Sequence, residues 1–405
     1  MVNFKCLILG GGMVAGYCAK QYVENGGKAG ELSLVSGDNA LPYERPPLSK
    51  SFLAGKDTED SVLINSADFY AKNGIDVKLN TRVNSIDARN MRLKSSSGGE
   101  FGFGKLIIAT GAEVRRLDVP GADSANVMYL RSLADSKRIR DASAHAKKAV
   151  VVGGGFIVME VASVLASRGI ETTILARQDR FGAAFFTPEM SAFFERYYVE
   201  RGVRILKQSE IAGIENGSNA RLRNGQAVDF ELLVAGIGVR PLTGLAESAG
   251  LSVDNGILVN EYLETSDPNL YAAGDVANYP DSLFGNKRRR AEHWDNAVSQ
   301  GRHLAGALLG RREPFVHVAY FFSDVFDLSY EFWGDPAQAD RIVYRGDLQT
   351  SSFSIWWLSQ DRLVAAFAMN RPDEERELPP ELIRSKQVLS AARLRDAGSV
   401  RDAVA

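Results

Sequence analysis

The chain has 405 residues, of which 45% are hydrophobic and 24% charged, a composition typical of a globular protein of roughly two or three domains. Its formal net charge of -2 at pH 7 gives no whole-chain reason to expect binding to nucleic acid or to an anionic membrane. No apolar run is long enough to span a bilayer, and the N-terminus enters a strand directly. We therefore expect neither a transmembrane helix nor a signal peptide, and take the cytoplasm as the default location.

The first predicted element is an apolar strand that ends in a glycine-rich turn, in the sequence LILGGGMVAGY. Gly10, Gly12 and Ala15 stand at the small-residue positions of a dinucleotide fingerprint. Such a turn leads into a helix whose N-terminal amides receive a pyrophosphate, and small residues let the backbone approach its oxygens. Residues 31–36 predict a second strand, and Asp38 after it is placed to accept hydrogen bonds from a ribose 2'-hydroxyl.

The middle of the first unit is predicted to be rich in strands. Short alternating runs around Val77, Val83 and Met91 predict a β-meander, followed by an apolar strand over residues 105–111. Residues 114–123 contain a proline and a glycine and predict a linker into a second unit.

The second unit opens with a repeat of the fingerprint, VVVGGGFIVME, beginning at Val150. Gly153 and Gly155 occupy the first two glycine positions, but the third is Val158. That glycine normally permits close packing of helix on strand. Either the nucleotide binds more weakly here or the neighbouring side chains are smaller, and we favour the second alternative. Two such units in one chain indicate two dinucleotides held for electron transfer.

The strand after this fingerprint lacks the acid that normally binds a ribose hydroxyl. Ala176 and Gln178 stand there instead, with Arg177 and Arg180 close by. Loss of a carboxylate and gain of guanidinium groups favour a 2'-phosphate, so the sequence predicts use of NADPH or of both nucleotides. The closing segment LLVAGIGVRP contains Gly238, which we include among the predicted nucleotide-binding residues.

The last third of the sequence predicts a return to the first unit and then a new domain. Residues 256–259 and 270–275 read as strands, the composition becomes aromatic from about Phe315, and residues 381–405 predict helix. The basic run from Lys287 to Arg290 is interpreted as a solvated loop rather than a nucleic-acid patch.

Cysteine and histidine usage indicates neither a redox disulfide nor a metal site. The two cysteines, Cys6 and Cys18, lack redox or zinc spacing and are expected to be buried thiols. Four histidines show no metal-ligand spacing: His145, His293, His303 and His317.

Three further motifs carry a resemblance to a known family. They are PYERPPLSK at residues 42–50, RRAEH at residues 289–293 and FDLSY at residues 326–330. Along essentially its whole length the chain resembles the FAD-dependent pyridine nucleotide reductases, which include monodehydroascorbate reductase, oxygenase-associated ferredoxin reductases and apoptosis-inducing factor. The residues of these motifs are most similar to those of monodehydroascorbate reductase.

The resemblance implies an α/β fold of two Rossmann-like dinucleotide domains, the second inserted in the first, followed by a C-terminal α+β domain. The expected boundaries are 1–113 and 245–315 for the FAD domain, 114–244 for the NAD(P)H domain and 316–405 for the C-terminal domain. The implied cofactors are FAD and NADPH or NADH.

The resemblance also implies roles for individual residues. Those expected along FAD are Gly10, Gly12 and Ala15 at the pyrophosphate, Asp38 at the adenosine ribose, Arg45, Lys50, Arg131, Asp275 at the ribityl chain, and Glu292 and Trp294 at a helix facing the isoalloxazine. A surface salt bridge is the alternative for Arg131.

Four residues are expected to act in catalysis. Lys50 and Glu160 meet near flavin N5, and Glu160 also contacts the nicotinamide carboxamide. Phe156 is the aromatic ring over the flavin that moves aside for nicotinamide. His293 is a functional candidate for which a structural role is the alternative.

The acceptor is left open by the sequence. Without a redox cysteine pair, electrons must pass directly from the flavin to a small molecule or radical, or to a small redox protein such as a ferredoxin or rubredoxin. Monodehydroascorbate reductases have arginine, tyrosine and arginine where this chain has Val298, Phe322 and Asp324, which argues against an anionic ascorbate radical. The basic run from Lys287 to Arg290 is a candidate docking face for a protein acceptor. Two alternative functions are those of a nucleotide-responsive binding protein and of an NAD(P)H-independent flavin oxidase.

Overall fold

The computed structural model describes residues 2–183, 185–396 and 398–404. The chain divides into two compact units. The first comprises Met1–Arg45, Glu59–Glu113 and Arg240–Phe321, and the second comprises Pro46–Thr58, Val114–Val239 and Phe322–Ala405. The three domain boundaries expected from the sequence stay a prediction.

The strands of the described residues, in chain order, are β1 (Val2–Leu9), β2 (Leu32–Val35), β3 (Asp76–Lys78), β4 (Val83–Asp87), β5 (Arg92–Ser95), β6 (Glu100–Ile108), β7 (Ala112–Val114), β8 (Val127–Tyr129), β9 (Lys148–Val152), β10 (Glu171–Leu175), β11 (Arg204–Leu206), β12 (Ile211–Glu215), β13 (Asn219–Leu222), β14 (Ala227–Asp229), β15 (Leu232–Ala235), β16 (Val239–Pro241), β17 (Ile257–Leu258), β18 (Leu270–Ala272), β19 (Ala277–Asp281), β20 (Lys287–Arg289), β21 (Tyr320–Val325), β22 (Leu328–Gly334), β23 (Arg341–Asp347), β24 (Ser352–Ser359) and β25 (Arg362–Met369).

The α-helices of the same residues are α1 (Met13–Glu24), α2 (Ala67–Lys72), α3 (Leu133–Ser143), α4 (Phe156–Ser167), α5 (Pro188–Glu200), α6 (Gly244–Ser248), α7 (Trp294–Leu308), α8 (Asp373–Ser385) and α9 (Ala391–Arg395). Short 3-10 helices span Pro46–Ser49, Gly274–Val276, Ser282–Phe284, Pro336–Gln338 and Val400–Ala403.

The first unit is built on a sheet in the order β3-β2-β1-β6-β5-β4, with β18 also paired to β6. The pairs β1 with β2, β1 with β6, β2 with β3 and β6 with β18 are parallel, whereas β4, β5 and β6 are antiparallel. The central strand β1 is apolar and buried along Cys6–Leu9, as expected for a parallel strand covered on both faces. The meander prediction is therefore right for β4 to β6, but β3 joins the parallel edge.

Two helices of the first unit pack closely because a glycine lies between them. A β-carbon on Gly301 of α7 would lie 2.7 Å from the carbonyl oxygen of Val14 in α1, so only glycine permits this approach. The fingerprint helix is thereby held against α7, which begins at the predicted cofactor residue Trp294.

The second unit contains a fully parallel sheet in the order β11-β10-β9-β15-β8 and an antiparallel sheet of β12, β13 and β14. The parallel strands are continuous apolar runs, with β9 buried over Ala149–Val152 and β15 over Leu232–Ala235. Helix α4 follows β9 directly, as the fingerprint predicts.

The same unit ends in a five-stranded sheet of order β21-β22-β25-β24-β23, followed by α8 and α9. Aromatic residues fill its core: Trp356, Phe353, Phe367 and Tyr330 are almost completely buried. This is the α+β segment that the aromatic composition predicted, although its terminal helices are shorter than residues 381–405.

Candidate functional site

The first glycine turn has the geometry that a pyrophosphate needs. Gly10 has φ 138°, and a β-carbon on it would overlap the carbonyl of Ala109. At Gly12, which precedes α1, the nearest atom to an added β-carbon is Nη2 of Arg45 at 3.9 Å, so the turn leaves open space beside a guanidinium. Ala15 is fully buried. These residues fit the phosphate end of FAD.

The acid after β2 is held in place before any ligand binds. Tyr43 donates its hydroxyl to Oδ2 of Asp38 at 3.0 Å, and the amides of Asn39 and Ala40 donate to Oδ1 at 2.8 and 3.3 Å. The guanidinium of Arg45 lies 4.8 Å from the centre of the Tyr43 ring. Asp38 and Arg45 therefore belong to one ordered corner beside the glycine turn.

Asp275 lies in a short 3-10 helix after β18. Gly274 before it has φ 76°, and its amide donates to Oε1 of the buried Gln300 at 2.7 Å. Arg290 donates to the backbone carbonyl of Asp275 at 3.2 Å. The turn that carries the predicted ribityl-binding acid is thus fixed both from α7 and by Arg290, the residue after β20.

Helix α7 begins at Trp294, with His293 as its N-cap, close to the predicted start. The indole of Trp294 donates to Oε2 of Glu44 at 2.6 Å, and Tyr17 donates to the other oxygen of that carboxylate at 2.5 Å. Glu292 is exposed and pairs with Arg290 at 2.5 Å. The indole N–H of Trp294 is therefore engaged by protein, which favours an orienting role for this side chain.

His293 packs against an aromatic side chain. Its ring stacks on Phe321 with centroids 5.0 Å apart and planes at 20°. Burial lowers the pKa of His293 below its usual value. The neutral imidazole is therefore the form that this environment favours near pH 7.

The second glycine turn has the same backbone as the first. Gly153 has φ 132°, and Gly155 caps α4 with no atom within 4 Å of a β-carbon placed on it. Val158 is buried, and its Cγ2 lies 2.9 Å from β-carbons placed on Gly153 or Gly236. The neighbours of the valine are thus glycines, which supports the second alternative above.

The predicted 2'-phosphate end of this turn contains one exposed arginine. The side chain of Arg177 is 76% exposed and lies 3.9 Å from Glu210, which also pairs with Arg223 at 3.0 Å. Gln178 reaches back to the turn, with Oε1 2.9 Å from a β-carbon placed on Gly154. Arg180 donates instead to the carbonyl of Phe186 and the hydroxyl of Ser191.

Gly238 and Arg131 lie elsewhere in the second unit. Gly238 has φ 99°, and its carbonyl accepts from the amide of Arg115 at 2.9 Å. Arg131 immediately precedes the capping box of α3, and its amide donates to Asp135 at 3.2 Å. Their predicted roles at cofactors stay predictions.

Lys50 and Glu160 form a buried ion pair in the second unit. Lys50 Nζ lies 2.8 Å from Glu160 Oε1, and the two side chains are only 15% and 6% exposed. Ser49 donates a hydrogen bond to Oε2 of the same carboxylate, and Ser323 donates to Oε1 at 2.6 Å. The pairing expected from the resemblance is present, and two serine hydroxyls complete it.

Phe156, the first residue of α4, belongs to an aromatic cluster. Its ring centroid lies 4.3 Å from that of Phe185 and 6.2 Å from that of Tyr330. Phe185 is 39% exposed, whereas Tyr330 is buried. Phe156 thus lies between an exposed ring on one side and a buried ring on the other.

Two models of known protein families match this chain. The family model described as pyridine nucleotide-disulphide oxidoreductase matches residues 4–301, and the model described as reductase C-terminal matches residues 320–402. The chain belongs to the pyridine nucleotide-disulphide oxidoreductase family. Membership implies FAD and a nicotinamide nucleotide, and the expected family and fold class are confirmed.

Curated relatives of this oxidoreductase include two kinds of reductase. Monodehydroascorbate reductase 4, peroxisomal, of Arabidopsis thaliana is 37% identical over 399 residues, covering 92% of this chain and 81% of the relative. The 5,5'-dehydrodivanillate O-demethylase ferredoxin reductase subunit of Sphingobium sp. is 36% identical over 376 residues, covering 92% and 91%. The expected function, monodehydroascorbate reductase-like with a ferredoxin reductase alternative, is the one these relatives support.

Solved structures of reductases also resemble this chain over nearly its whole length. The covalent putidaredoxin reductase–putidaredoxin complex contains a chain with TM-score 0.93 and 32% identity, covering 98% of this chain and 97% of that one. The ferredoxin reductase for the CYP199A2 system from Rhodopseudomonas palustris has TM-score 0.93 and 30% identity, covering 99% and 100%.

The oxidoreductase has no cysteine pair to carry electrons, despite the family description. Cys6 and Cys18 are both free and buried. Burial raises the pKa of Cys6 to about 11 and raises that of Cys18 further, so neither thiol is readily ionised. Direct electron delivery from the flavin stays a prediction.

The described residues form neither a metal-binding cluster nor a membrane-spanning helix. They contain no group of three or more acidic, histidine or cysteine side chains arranged to hold a metal ion. No helix within residues 2–183, 185–396 or 398–404 has the length and apolarity to cross a membrane. Location in the cytoplasm stays a prediction.

The predicted acceptor-side residues lie on different elements. Phe322 places its ring 5.2 Å from Lys50 Nζ, and Asp324 is two residues further along β21. Val298 is buried in α7, within the core of the first unit. A buried apolar side chain at position 298 offers no charge to an anionic substrate.

The basic run at residues 287–290 forms a strand rather than the predicted loop, although Lys287 and Arg288 are exposed. Lys287–Arg289 form β20, and the arginines turn back onto the protein. Arg288 donates to the carbonyls of Val259 and Asn278, and Arg289 lies 3.4 Å from Asp281 with a side chain only 15% exposed. Arg289 and Arg290 are thus paired with acids, Asp281 and Glu292, whereas Lys287 and Arg288 are exposed and carry the remaining charge of this strand.

Sequence reasoning did not identify Ser49, Ser323 or Phe185 as site residues. A serine or phenylalanine carries no motif of its own, and their positions beside Glu160 and Phe156 come from chain segments far apart in sequence. Ser49 stands inside the PYERPPLSK motif, next to Lys50, and this adjacency was the one available signal.

Proposed function

We propose that this oxidoreductase is an FAD-dependent NAD(P)H reductase that passes electrons directly to an acceptor, without a redox disulfide. The observation that carries the proposal is the buried pair of Lys50 and Glu160, 2.8 Å apart. Lys50 follows the 3-10 helix Pro46–Ser49, and Glu160 lies on α4, the helix of the second fingerprint. An ion pair this deeply buried is costly to desolvate and is weak evidence for stability alone. Such pairs in a nucleotide-binding unit are candidates for function.

The residues present have definite tasks in this proposal. Glu160 neutralises Lys50 and would hold the nicotinamide carboxamide, and Lys50 would lie along bound FAD. Phe156 would be the ring that covers FAD and gives way to nicotinamide. When bound, FAD accepts two electrons and can release them singly, which allows one-electron acceptors.

For the nucleotide we propose NADPH or dual use. Arg177 is exposed and supports a 2'-phosphate electrostatically, whereas Arg180 is occupied by Phe186 and Ser191. Glu210 lies 3.9 Å from Arg177 and opposes a phosphate, so the preference is expected to be moderate rather than absolute.

For the acceptor we propose a small redox protein of the ferredoxin or rubredoxin kind, with an ascorbate radical as the second candidate. Asp324 and the buried Val298 replace arginines that would attract an anionic radical, which argues against ascorbate. The sequence of a relative named as a ferredoxin reductase subunit is 36% identical to this one over 92% of this chain.

The decisive experiment is anaerobic stopped-flow reduction of the FAD-loaded protein by NADH and NADPH in turn. Rapid bleaching by either nucleotide is expected and eliminates an NAD(P)H-independent oxidase. The reduced protein is then mixed with ferricyanide, quinones, monodehydroascorbate and candidate ferredoxins or rubredoxins. Absence of bleaching with both nucleotides contradicts the proposed function.

Ionic strength separates the two kinds of acceptor. With a protein partner steered by charge, kcat/KM should fall as salt rises, because the Debye length shortens to about 3 Å at 1 M. A neutral small molecule should show no such fall.

The runner-up is a nucleotide-responsive binding protein, as the resemblance to apoptosis-inducing factor allows. It predicts slow turnover with every acceptor, a stable charge-transfer band and a change of oligomeric state on NAD(P)H addition.

A further inference from the structure

The carboxylate of Glu160 is held by three donors rather than by Lys50 alone. Oε1 receives Lys50 Nζ at 2.8 Å and the Ser323 hydroxyl at 2.6 Å, while Oε2 receives the Ser49 hydroxyl. The donors come from two separate segments: Ser49 and Lys50 are neighbours, and Ser323 lies on β21. Each oxygen of the carboxylate therefore accepts a hydrogen bond from a neutral hydroxyl, and Oε1 also contacts the ammonium group of Lys50.

Burial makes these hydroxyls important. Ser49 is 6% exposed and Ser323 is inaccessible, so water does not compete for the carboxylate on these sides. A buried carboxylate oxygen without a donor loses hydration and gains nothing in return. One lysine satisfies one oxygen and leaves the group free to turn about its last side-chain bond, whereas a donor on each oxygen removes that freedom.

Two tyrosines, Tyr198 and Tyr330, also lie near Glu160. Burial raises the pKa of both well above the usual tyrosine value, so neither supplies charge near pH 7. The Tyr198 hydroxyl donates a hydrogen bond to the carbonyl oxygen of Met159 at 2.8 Å. Apart from Lys50, orientation of the carboxylate thus falls to Ser49 and Ser323.

We propose that Ser49 and Ser323 are positioning residues for flavin reduction: they fix the Glu160 carboxylate so that it holds Lys50 and presents a defined edge to the nicotinamide carboxamide. The proposal rests on the proposed function. Hydroxyls suit this task because they add no charge, so the Lys50–Glu160 pair stays neutral as a unit. Ser323 also joins strand β21, between Phe322 and Asp324, to the pair.

The test uses the FAD-loaded variants Ser49→Ala, Ser323→Ala and the double variant in anaerobic stopped-flow experiments. The limiting rate of flavin reduction should fall about tenfold for each single change, since a hydrogen bond to a charged group is worth roughly that factor. The apparent Kd for nucleotide should change less than about twofold, because the lost interaction orients the reacting ring rather than anchoring the nucleotide. Ser49→Thr and Ser323→Thr keep the hydroxyl and should retain most of the rate.

Ser163→Ala is the matched control. Ser163 is a buried serine on the same helix, but its hydroxyl donates to the backbone carbonyl of Glu160 at 2.8 Å and not to the carboxylate. This variant should reduce its flavin at the wild-type rate. Equal slowing in Ser163→Ala, or no slowing in either serine variant, overturns the proposal. Failure of wild-type flavin to be reduced at all contradicts the proposed function instead.

Discussion

The side chain of Val158 occupies the space beside Gly236: its Cγ2 lies 2.9 Å from the position that a β-carbon on Gly236 would take. Gly236 follows β15, and its amide donates to the carbonyl of Val152 at 2.8 Å. The fingerprint normally places a glycine at position 158 so that helix and strand can approach. Here the small residue is on the strand side, and the valine fills the space from the helix side.

Substitutions at positions 158 and 236 should therefore have strongly coupled effects on the free energy of unfolding. Gly236→Ala should lower the free energy of unfolding by about 1–3 kcal/mol, because the added methyl overpacks against Val158. Combining it with Val158→Ala should cost less than the sum of the single losses, measured by urea unfolding in a double-mutant cycle. Gly244→Ala, at a position with open space around its β-carbon, is the neutral control. Strictly additive losses would contradict the packing argument.

Local chain properties explain why the two fingerprint turns were predictable. Gly10 and Gly153 have φ of 138° and 132°, values that only glycine adopts easily, so the sequence itself specifies the turn. The apolar strands β1 and β9 before them are equally local. The resemblance supplied the pairing of Lys50 with Glu160, which no local pattern encodes.

Tertiary context decided the features that sequence reasoning missed. The run of charge at residues 287–290 reads as solvated, but carbonyls of Val259 and Asn278 are available to Arg288 only in the folded chain. Strand β3 was expected in a meander, yet its partner is the parallel strand β2. Ser323 and Glu160 are brought together across 163 positions of sequence, a separation for which periodicity carries no signal.

Removing either member of the buried pair should slow flavin reduction far more than it weakens FAD retention. Lys50→Ala and Glu160→Ala should each lower the limiting reduction rate about 100-fold, because the partner is left as an uncompensated buried charge and the nicotinamide loses its orienting group. Stopped-flow absorbance gives the rate, and the flavin-to-protein absorbance ratio gives retention. Lys56→Ala, at an exposed lysine of the same segment, should behave as wild type. Unchanged rates in both pair variants would refute the assigned role.

Arg177 should control the response to the 2'-phosphate. Arg177→Ala should lower kcat/KM for NADPH about tenfold and leave NADH within about twofold, because only NADPH offers a phosphate to the guanidinium. Glu210→Gln should shift the ratio the other way, since it removes an acid 3.9 Å from Arg177. Arg221→Ala, another exposed arginine of the same unit, controls for the general loss of positive charge. A wild-type preference for NADH of tenfold or more would exclude the prediction of NADPH use.

Acid should destabilise the first unit through two partly buried histidines. Burial lowers the pKa of His293 and of His303 relative to the unfolded chain, whose histidines titrate near pH 6.5. Below about pH 6.5 the unfolded state therefore binds protons that the folded state does not, and stability falls with pH. Between pH 7.5 and 5.5 the Tm of His293→Gln and of His303→Gln should fall less than that of wild type. The exposed His145→Gln should follow wild type, and identical slopes in all four proteins would contradict this account.

Arg345 should be the residue on which the C-terminal segment depends most. Its guanidinium is 4% exposed and donates to the backbone carbonyls of Leu394, Asp396 and Gly398, the last two at 2.7 and 2.8 Å. Glu375 lies 3.5 Å from Arg345 Nε, which provides the counter-charge. One guanidinium thus donates to three carbonyls at alternate positions of the chain, 394, 396 and 398. The single ammonium group of a lysine cannot reproduce this forked set of donors.

Replacement of Arg345 should consequently release the segment after α8. Arg345→Met should cost about 3 kcal/mol of unfolding free energy, because it leaves three carbonyls without donors. Glu375 keeps its ion pair with Arg371 at 2.8 Å. Arg345→Lys should recover only part of this loss. Arg341→Ala removes an exposed arginine of the same strand, paired with Asp361 at 2.7 Å, and should cost less than about 1 kcal/mol. Limited proteolysis should cut Arg345→Met first near residues 394–398, and cleavage there at the wild-type rate would show that other contacts hold the segment.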